Sequence, residues 1–232
     1  MNVLGSANNL LLLLPTVTIL ALLPAKPILA ADKGPATNYE NVVGDSGEED
    51  QTLWDTYYRV KGKTNLQPPI DIVKQMASKF KPGGKILNPA MAEGRNTIYL
   101  AAKGFEVTGI DISEIAVHHA TAEAKARHLH FRPVIADLTK YDVPKDAWDG
   151  IVLSQFHMHS LLPKWRDGLK RGGYLVYYVA VDRGKGTRTG MPTEFMVKKN
   201  ELEEFFKNWK VILRDEKMVG DQIYLSLALQ KP

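Results

Sequence analysis

The stretch Lys85-Ile86-Leu87-Asn88-Pro89-Ala90-Met91-Ala92-Glu93-Gly94-Arg95-Asn96 changes character twice. Residues 85–89 form a short apolar run of β type, Ala90, Ala92 and Gly94 supply a turn of small residues, and a helical pattern then runs over 94–103 until Gly104 stops it. This strand, tight turn and helix recur on the C-terminal side. Strands are expected over 106–110, 130–135, 150–154 and 174–181, with helices over 114–127 and 161–170, the last ended by Gly172 and Gly173. Before the first strand, Ile70, Ile72, Val73, Met76 and Phe80 recur at roughly helical spacing. Such alternation is the pattern of a doubly wound, mostly parallel α/β sheet of Rossmann-like type, covered by helices on both faces.

After the fifth strand the pattern changes. Residues 182–190 are a loop of Gly, Arg and Lys, and Asn200 with Glu203 three residues on resembles a capping box for a helix over 201–207. Two apolar runs, 209–213 and 223–229, then flank a polar connection of hairpin type, so the sheet is expected to end in an antiparallel strand pair. No internal repeat or low-complexity tract competes with this outline.

The chain has 232 residues, 44% hydrophobic and 24% charged, which suits one sizeable core. Its net charge of +4 is spread over Lys and Arg interleaved with Asp and Glu, the pattern of a solvated surface rather than a nucleic-acid patch. The absence of cysteine excludes disulfides, thiolate metal sites and cysteine nucleophiles. At the N-terminus, apolar residues 10–14 and 19–23 are broken by Pro15 and followed by Ala30 and Ala31, a pattern resembling a signal peptide cleaved after one of those alanines. No Lys or Arg precedes the apolar run, whereas Lys26 and Lys33 follow it, and an uncleaved segment would then leave the main domain in the cytosol. Residues 10–25 fall short of the roughly 20 a spanning helix needs. The expected organisation is a signal peptide or apolar anchor over 1–31, a Gly- and acid-rich linker over 32–51, and a folded domain over 52–232. Export to a periplasmic or secreted location, or anchoring at a membrane, follows from that division; the cytoplasm is the alternative.

In an open α/β sheet the ligand lies outside the carboxyl ends of the strands. The first such position is the turn Ala90-Met91-Ala92-Glu93-Gly94-Arg95, where small side chains let backbone approach a ligand closely and a helix start presents N–H groups. Gly94 in particular is expected where backbone passes too near a ligand for a Cβ. Asp111 ends the second strand about 20 residues beyond this turn, where an acidic side chain accepts from ribose hydroxyls; the alternative is an N-cap, which Ser113 can supply instead. Asp137 follows the third strand, in reach of an adenine amino group or in a solvated turn. After the fourth strand, Ser154-Gln155-Phe156-His157-Met158-His159 offers polar and aromatic groups beside a reacting centre. There His157 and His159 are candidates for a base, a metal ligand or plain pocket wall. The pairs His118 and His119, and His128 and His130, are read as structural or exposed.

In their order these segments resemble the class I methyltransferases. Residues 85–102, with Glu93-Gly94-Arg95-Asn96 and Tyr99-Leu100-Ala101, look like motif I in the variant of the TehB-like and thiopurine-type members; Val107-Thr108-Gly109-Ile110-Asp111-Ile112-Ser113 looks like motif II, and Leu169-Lys170-Arg171-Gly172-Gly173 like the turn before the fifth strand. The resemblance spans roughly 54–229. It implies S-adenosylmethionine as cofactor, held by Ala90, Met91, Ala92, Glu93, Gly94 and Arg95 together with Asp111, Ile112, Asp137, Leu138 and Ser154. Tyr58, Gln155, His157 and His159 are the implied pocket for a small-molecule methyl acceptor, with no metal and no nucleic acid involved. Two departures matter: Asn88 stands where the family has Asp, and Ala90 and Ala92 where it has glycine. Alanine suits a turn of negative φ and is strained at positive φ.

Transfer of the sulfonium methyl by in-line displacement is the leading expectation, with positioning as the main catalytic contribution. A nicotinamide oxidoreductase is the alternative enzyme class, disfavoured because the turn lacks glycine at the third fingerprint position. An exported binding protein that kept the fold without turnover is the non-enzymatic alternative. Arg59, Arg95, Lys61 and Lys63 are available to an anionic substrate, to a cofactor carboxylate, or to water. Oligomeric state leaves no mark in the sequence.

Overall fold

The computed structural model describes residues 47–62, 66–184 and 193–232. The apolar segment 1–31, the linker up to residue 46, Lys63 and most of the loop 182–190 lie outside the described residues. In chain order the elements are α1 (Gly47–Lys61), α2 (Asp71–Met76), β1 (Lys85–Pro89), α3 (Arg95–Ala102), β2 (Glu106–Asp111), α4 (Glu114–Ala126), β3 (Arg132–Ile135), β4 (Trp148–Ser154), α5 (Leu162–Gly168), β5 (Leu169–Ala180), α6 (Glu201–Phe205), β6 (Lys210–Val219) and β7 (Gln222–Gln230). Single 3-10 turns at His159–Leu161 and Thr193–Phe195 precede α5 and α6.

The strands form one sheet in the order β3-β2-β1-β4-β5-β7-β6. β1 pairs in parallel with β2 on one side and β4 on the other. The chain thus winds outward from β1 to β3 and crosses back to β4. Successive connections therefore diverge between the carboxyl ends of β1 and β4, the place where open α/β sheets receive ligands. β7 lies antiparallel between β5 and β6. The antiparallel end pair and the doubly wound sheet agree with the sequence.

Alternate residues of the central strands enter two cores. Leu87, Ile151, Leu153, Leu175 and Tyr177 face Leu162, Trp165, Leu202 and Phe206. On the other face, Ile86, Val107, Val152 and Val176 meet Ile72, Val73, Met76 and Phe80. Phe80 packs edge-on against Phe105 and Tyr174 at ring separations of 5.7 and 6.1 Å. Each large side chain buried in this way contributes about 1.5–3 kcal/mol, which is why period-2 and period-3.6 apolar spacing predicted the elements well.

Boundaries differ where tertiary contact overrides local pattern. The domain starts earlier than residue 52, because 47–51, read as linker, are the first turns of α1. The helix expected over 161–170 stops at Gly168, and β5 begins at Leu169, because buried Leu169 pairs in register with Trp148. β6 runs on to Val219 through Arg214, Asp215, Glu216 and Lys217, since an edge strand points charges at solvent and needs no apolar alternation. The capping box at Asn200 does not form: Asn200 is left-handed at φ 62° with no side-chain cap, and Glu201 instead accepts from the Lys198 N–H at 2.8 Å. Ser113 does cap α4, accepting from the Ala116 N–H.

Candidate functional site

The loop after β1 folds back onto the end of β2. Met91 N–H donates to the Ile110 carbonyl at 2.9 Å and Gly94 N–H to the Met91 carbonyl at 3.0 Å, while Ala92 N–H donates to Asp111 Oδ2 at 2.8 Å. This path needs left-handed backbone at alternate positions: Ala90 at φ 48°, Ala92 at 53° and Gly94 at 81°. A residue with a Cβ loses about 1–2 kcal/mol in that region, so both alanines are strained. For Gly94 the structure gives a reason other than the expected ligand. An added Cβ would lie 2.9 Å from the Ala120 Cβ on α4, so the glycine is required by its φ and by the close approach of α4.

Asn88 is fully buried and satisfied within the protein. Its Nδ2 donates to the Val152 carbonyl at 2.8 Å, and its Oδ1 accepts from Thr97 Oγ1 at 2.9 Å. The side chain fastens β1 to β4 and to α3. A carboxylate has no hydrogen to give the Val152 carbonyl, which accounts for amide rather than acid at this position.

Asp111 lies between the two loops. Oδ2 holds Ala92 N–H and Oδ1 holds Ser113 N–H at 3.0 Å. Burial pushes its carboxyl above the usual range, against the Ser113, Ala92 and Ile112 N–H groups that favour the charged form. Helix α1 crosses the same strand ends. Asp55 accepts from Ser113 Oγ at 2.6 Å and from Ile115 N–H at 3.2 Å, and Lys61 pairs with Glu93 at 3.1 Å. Glu93 also meets His119 Nδ1 at 3.1 Å. Near the start of α1, Asp50 is raised above its ordinary range by burial and by the negative charge of Asp137. One helix therefore reaches the loops after β1, β2 and β3. Tyr58, expected in the acceptor pocket, is buried on α1 beneath the Lys61 ammonium.

At the β4 side, Arg95 Nη2 donates to Gln155 Oε1 at 3.0 Å. Asn96 donates to Ser154 Oγ and accepts from Ile70 N–H, both at 3.1 Å. Gln155 is left-handed at φ 55° and its N–H donates to the Tyr178 carbonyl at 2.7 Å. The Tyr178 and Tyr224 rings stack at 4.9 Å and 7°, and burial raises both phenols. Loop 90–94, Asp111, Ser154, Gln155 and Arg95 thus meet around the switch point.

The remaining expected residues are placed otherwise. Asp137 accepts from the Thr139 N–H at 2.8 Å and hydroxyl at 2.6 Å. Partial burial works against its charge, but Thr139 and Lys140 outweigh that and hold it below the usual carboxylate range. The Leu138 side chain is buried in the core cluster of Trp165, while its carbonyl accepts from Lys164 Nζ. His157 and His159 turn to Glu201, at 3.1 and 2.6 Å. Among the described residues no group of three or more His, Cys, Asp or Glu is arranged to hold a metal ion, and no helix is long and apolar enough to cross a membrane. A surface hollow lined by Lys85, Glu106, His130 and Arg132 lies at the opposite, amino ends of the strands and shares no residue with the switch point. Sequence reading missed Asp55, Tyr178, Tyr224 and Glu201, which carry no local signal; Asn96 was legible as the end of the Glu93-Gly94-Arg95-Asn96 turn.

Residues 86–173 match the family model described as "Methyltransferase domain". The chain is 24% identical over 149 residues to a protein described as probable S-adenosyl-L-methionine-dependent methyltransferase TehB of Haemophilus influenzae, covering 61% of this chain and 51% of that one. It therefore spans about half the length of the curated relatives it matches. The crystal structure of TehB from Haemophilus influenzae superposes with a TM-score of 0.63 at 21% identity, covering 78% of this chain and 68% of that one. The [4+2]-cyclase SpnF gives 0.64 at 15%, covering 81% and 96%. Geranyl diphosphate C-methyltransferase from Streptomyces coelicolor A3(2), solved with Mg2+, geranyl diphosphate and S-adenosyl-L-homocysteine, gives 0.62 at 12%, covering 86% and 100%. The fold is that of the class I methyltransferases.

Proposed function

We propose that this chain, whose residues 86–173 match a methyltransferase-domain model and resemble an S-adenosylmethionine-dependent methyltransferase, transfers a methyl group from that cofactor to a nucleophile on a small molecule. The observation that carries the reading is the meeting of the folded-back loop 90–94 with the Asp111 carboxylate at the switch point. The residues present fit the cofactor. The two Asp111 oxygens have about four acceptor sites between them, more than the Ala92, Ser113 and Ile112 N–H groups occupy, which leaves one for a ribose hydroxyl. Asp137, held charged, offers an acceptor to an adenine amino group. Arg95 at the start of α3 brings positive charge to the loop that would face the methionine carboxylate, and Lys61 on α1 offsets the negative charge of Glu93 in that loop. Bound there, the cofactor supplies an electrophilic methyl group.

The chain's own residues act by orienting. Gln155, fixed by Arg95 and by the Tyr178 carbonyl, stands at the end of β4, and the stacked Tyr178 and Tyr224 rings give an acceptor a flat, partly polar wall. Such placement of reactants is the main lever open to a displacement that forms no covalent enzyme intermediate. Calorimetric titration with S-adenosylmethionine and, separately, NAD tests the reading. Binding of the first alone is expected, and binding of NAD alone overturns it.

A second reading is a fold kept with weak or no turnover; the strained Ala90 and Ala92 in the cofactor loop favour weakened cofactor chemistry. A domain that binds the cofactor yet forms no S-adenosylhomocysteine with any small thiol, amine or phenol offered would establish it.

A further inference from the structure

His157 and His159 were expected at an acceptor pocket, yet both turn to one carboxylate far along the chain. Glu201 Oε1 lies 3.1 Å from His157 Nε2 and 2.6 Å from His159 Nδ1. The other oxygen, Oε2, accepts from Lys198 N–H at 2.8 Å. We propose that Glu201, His157 and His159 form a clamp that fixes the segment 193–206 against the loop after β4, and thereby positions the acceptor-side wall of the methyl-transfer site. Its functional part rests on the methyltransferase reading above.

The two joined parts are the ones such a wall needs. The loop after β4 carries Gln155, which faces Arg95, and two residues on carries His157, which faces Glu201. The other part is the return of the long excursion after β5. Val197 N–H donates to the Ala180 carbonyl and Asp182 N–H to the Val197 carbonyl, which closes the base of that excursion on β5. Phe156 stacks on Phe195 at 5.8 Å across the same junction, and Met196 packs with Ala180 and Tyr224. The clamp joins the loop after β4 to the segment after β5 by bonds among His157, His159, Glu201 and Lys198, none of them in the loop 90–94 or at Asp111, so its members are positioning residues.

The chemistry fixes the direction of each bond. Burial resists the Glu201 charge, but the Lys198 N–H and the two imidazoles outweigh it and keep the carboxyl below its ordinary range. A carboxylate only accepts, so each imidazole must donate. His157 then carries its hydrogen on Nε2 and His159 on Nδ1, opposite tautomers on one acceptor oxygen. His157 is 2% exposed, and its Nδ1 is buried with no partner among the described residues. An apolar side chain would fill that space without an unsatisfied nitrogen. The imidazole is explained by the bond it gives Glu201.

Three measurements on the full chain and on Glu201→Gln and His159→Ala test this. Long-range 15N NMR of the wild type is expected to show the Nε2–H tautomer for His157 and Nδ1–H for His159; Nε2–H for both overturns the clamp. Hydrogen exchange is expected to be at least about tenfold faster over 193–206 in Glu201→Gln, and less accelerated in His159→Ala, with β1 to β5 unchanged. Unchanged exchange over 193–206, or loss of protection throughout the sheet, overturns it. Calorimetry with S-adenosylhomocysteine is expected to give the same affinity for wild type and Glu201→Gln within about twofold, because the clamp lies on the acceptor side; a larger loss in the variant overturns it. Failure of the wild type itself to bind S-adenosylhomocysteine counts against the methyltransferase reading, and the NMR and exchange results still decide whether the clamp exists.

Discussion

Asn88 stands where the resemblance leads one to expect an acid, and its environment makes the opposite substitution costly. Asn88→Asp would place a carboxylate in a fully buried site and leave the Val152 carbonyl without its donor, so a loss of at least about 2 kcal/mol is expected in a denaturant titration. Ala90 and Ala92 are the reverse case. Both hold left-handed φ with a Cβ, and glycine removes a strain of about 1–2 kcal/mol per residue at an entropic cost of about 0.4–1. Ala90→Gly with Ala92→Gly is therefore expected to raise the melting temperature by a few degrees; a lower one would show that the alanine methyls contribute packing that outweighs the strain. Gly94→Ala has the contrary sign, because φ 81° and the Ala120 methyl both oppose it. A fall of roughly 1–3 kcal/mol without any ligand is expected.

Helix α1 binds at its two fastenings as an element. Asp55 takes the Ser113 hydroxyl and the Ile115 N–H at the start of α4, and Lys61 takes Glu93. Asp55→Ala removes a helix-terminus acceptor, which costs about 0.5–2 kcal/mol. Limited proteolysis with trypsin is expected to cut at Arg59 or Lys61 faster in this variant, and S-adenosylhomocysteine to slow the cut in the wild type, since α1 reaches the loops that flank Asp111. Cleavage that neither change affects would separate α1 from the site. The β6 and β7 hairpin is an element whose existence was readable from two apolar runs, whereas its length was not. Residues 214–217 are charged, and only their pairing with β7 at the sheet edge makes them strand.

Across the whole molecule, acid stability joins the site to the fold. Burial holds the His157 pKa below its ordinary 6.5, so above pH 6.5 both folded and unfolded chains carry it neutral and its contribution is fully present. Below 6.5 the unfolded chain binds the proton first, and stability falls with pH until the folded pKa is passed. Glu201, held below its ordinary 4.5, adds a second loss on further acidification. Denaturant midpoints are thus expected to drop between pH 7 and 5, and the drop should shrink when His157 is replaced by Gln; an equal drop in that variant would assign the acid limb elsewhere. The sequence by itself determined the α/β class, the strand and helix order, the turn after β1 and the acid after β2, because apolar periodicity and turn chemistry are local and repeat at fixed spacing. Only the tertiary structure decided the insertion of β7 between β5 and β6, the left-handed path through Ala90 and Ala92, the role of Asn88, and the capture of His157 and His159 by Glu201. Those depend on which distant backbone and side-chain groups meet, and a hydrogen bond spanning forty or more residues leaves no periodic trace in the chain that makes it.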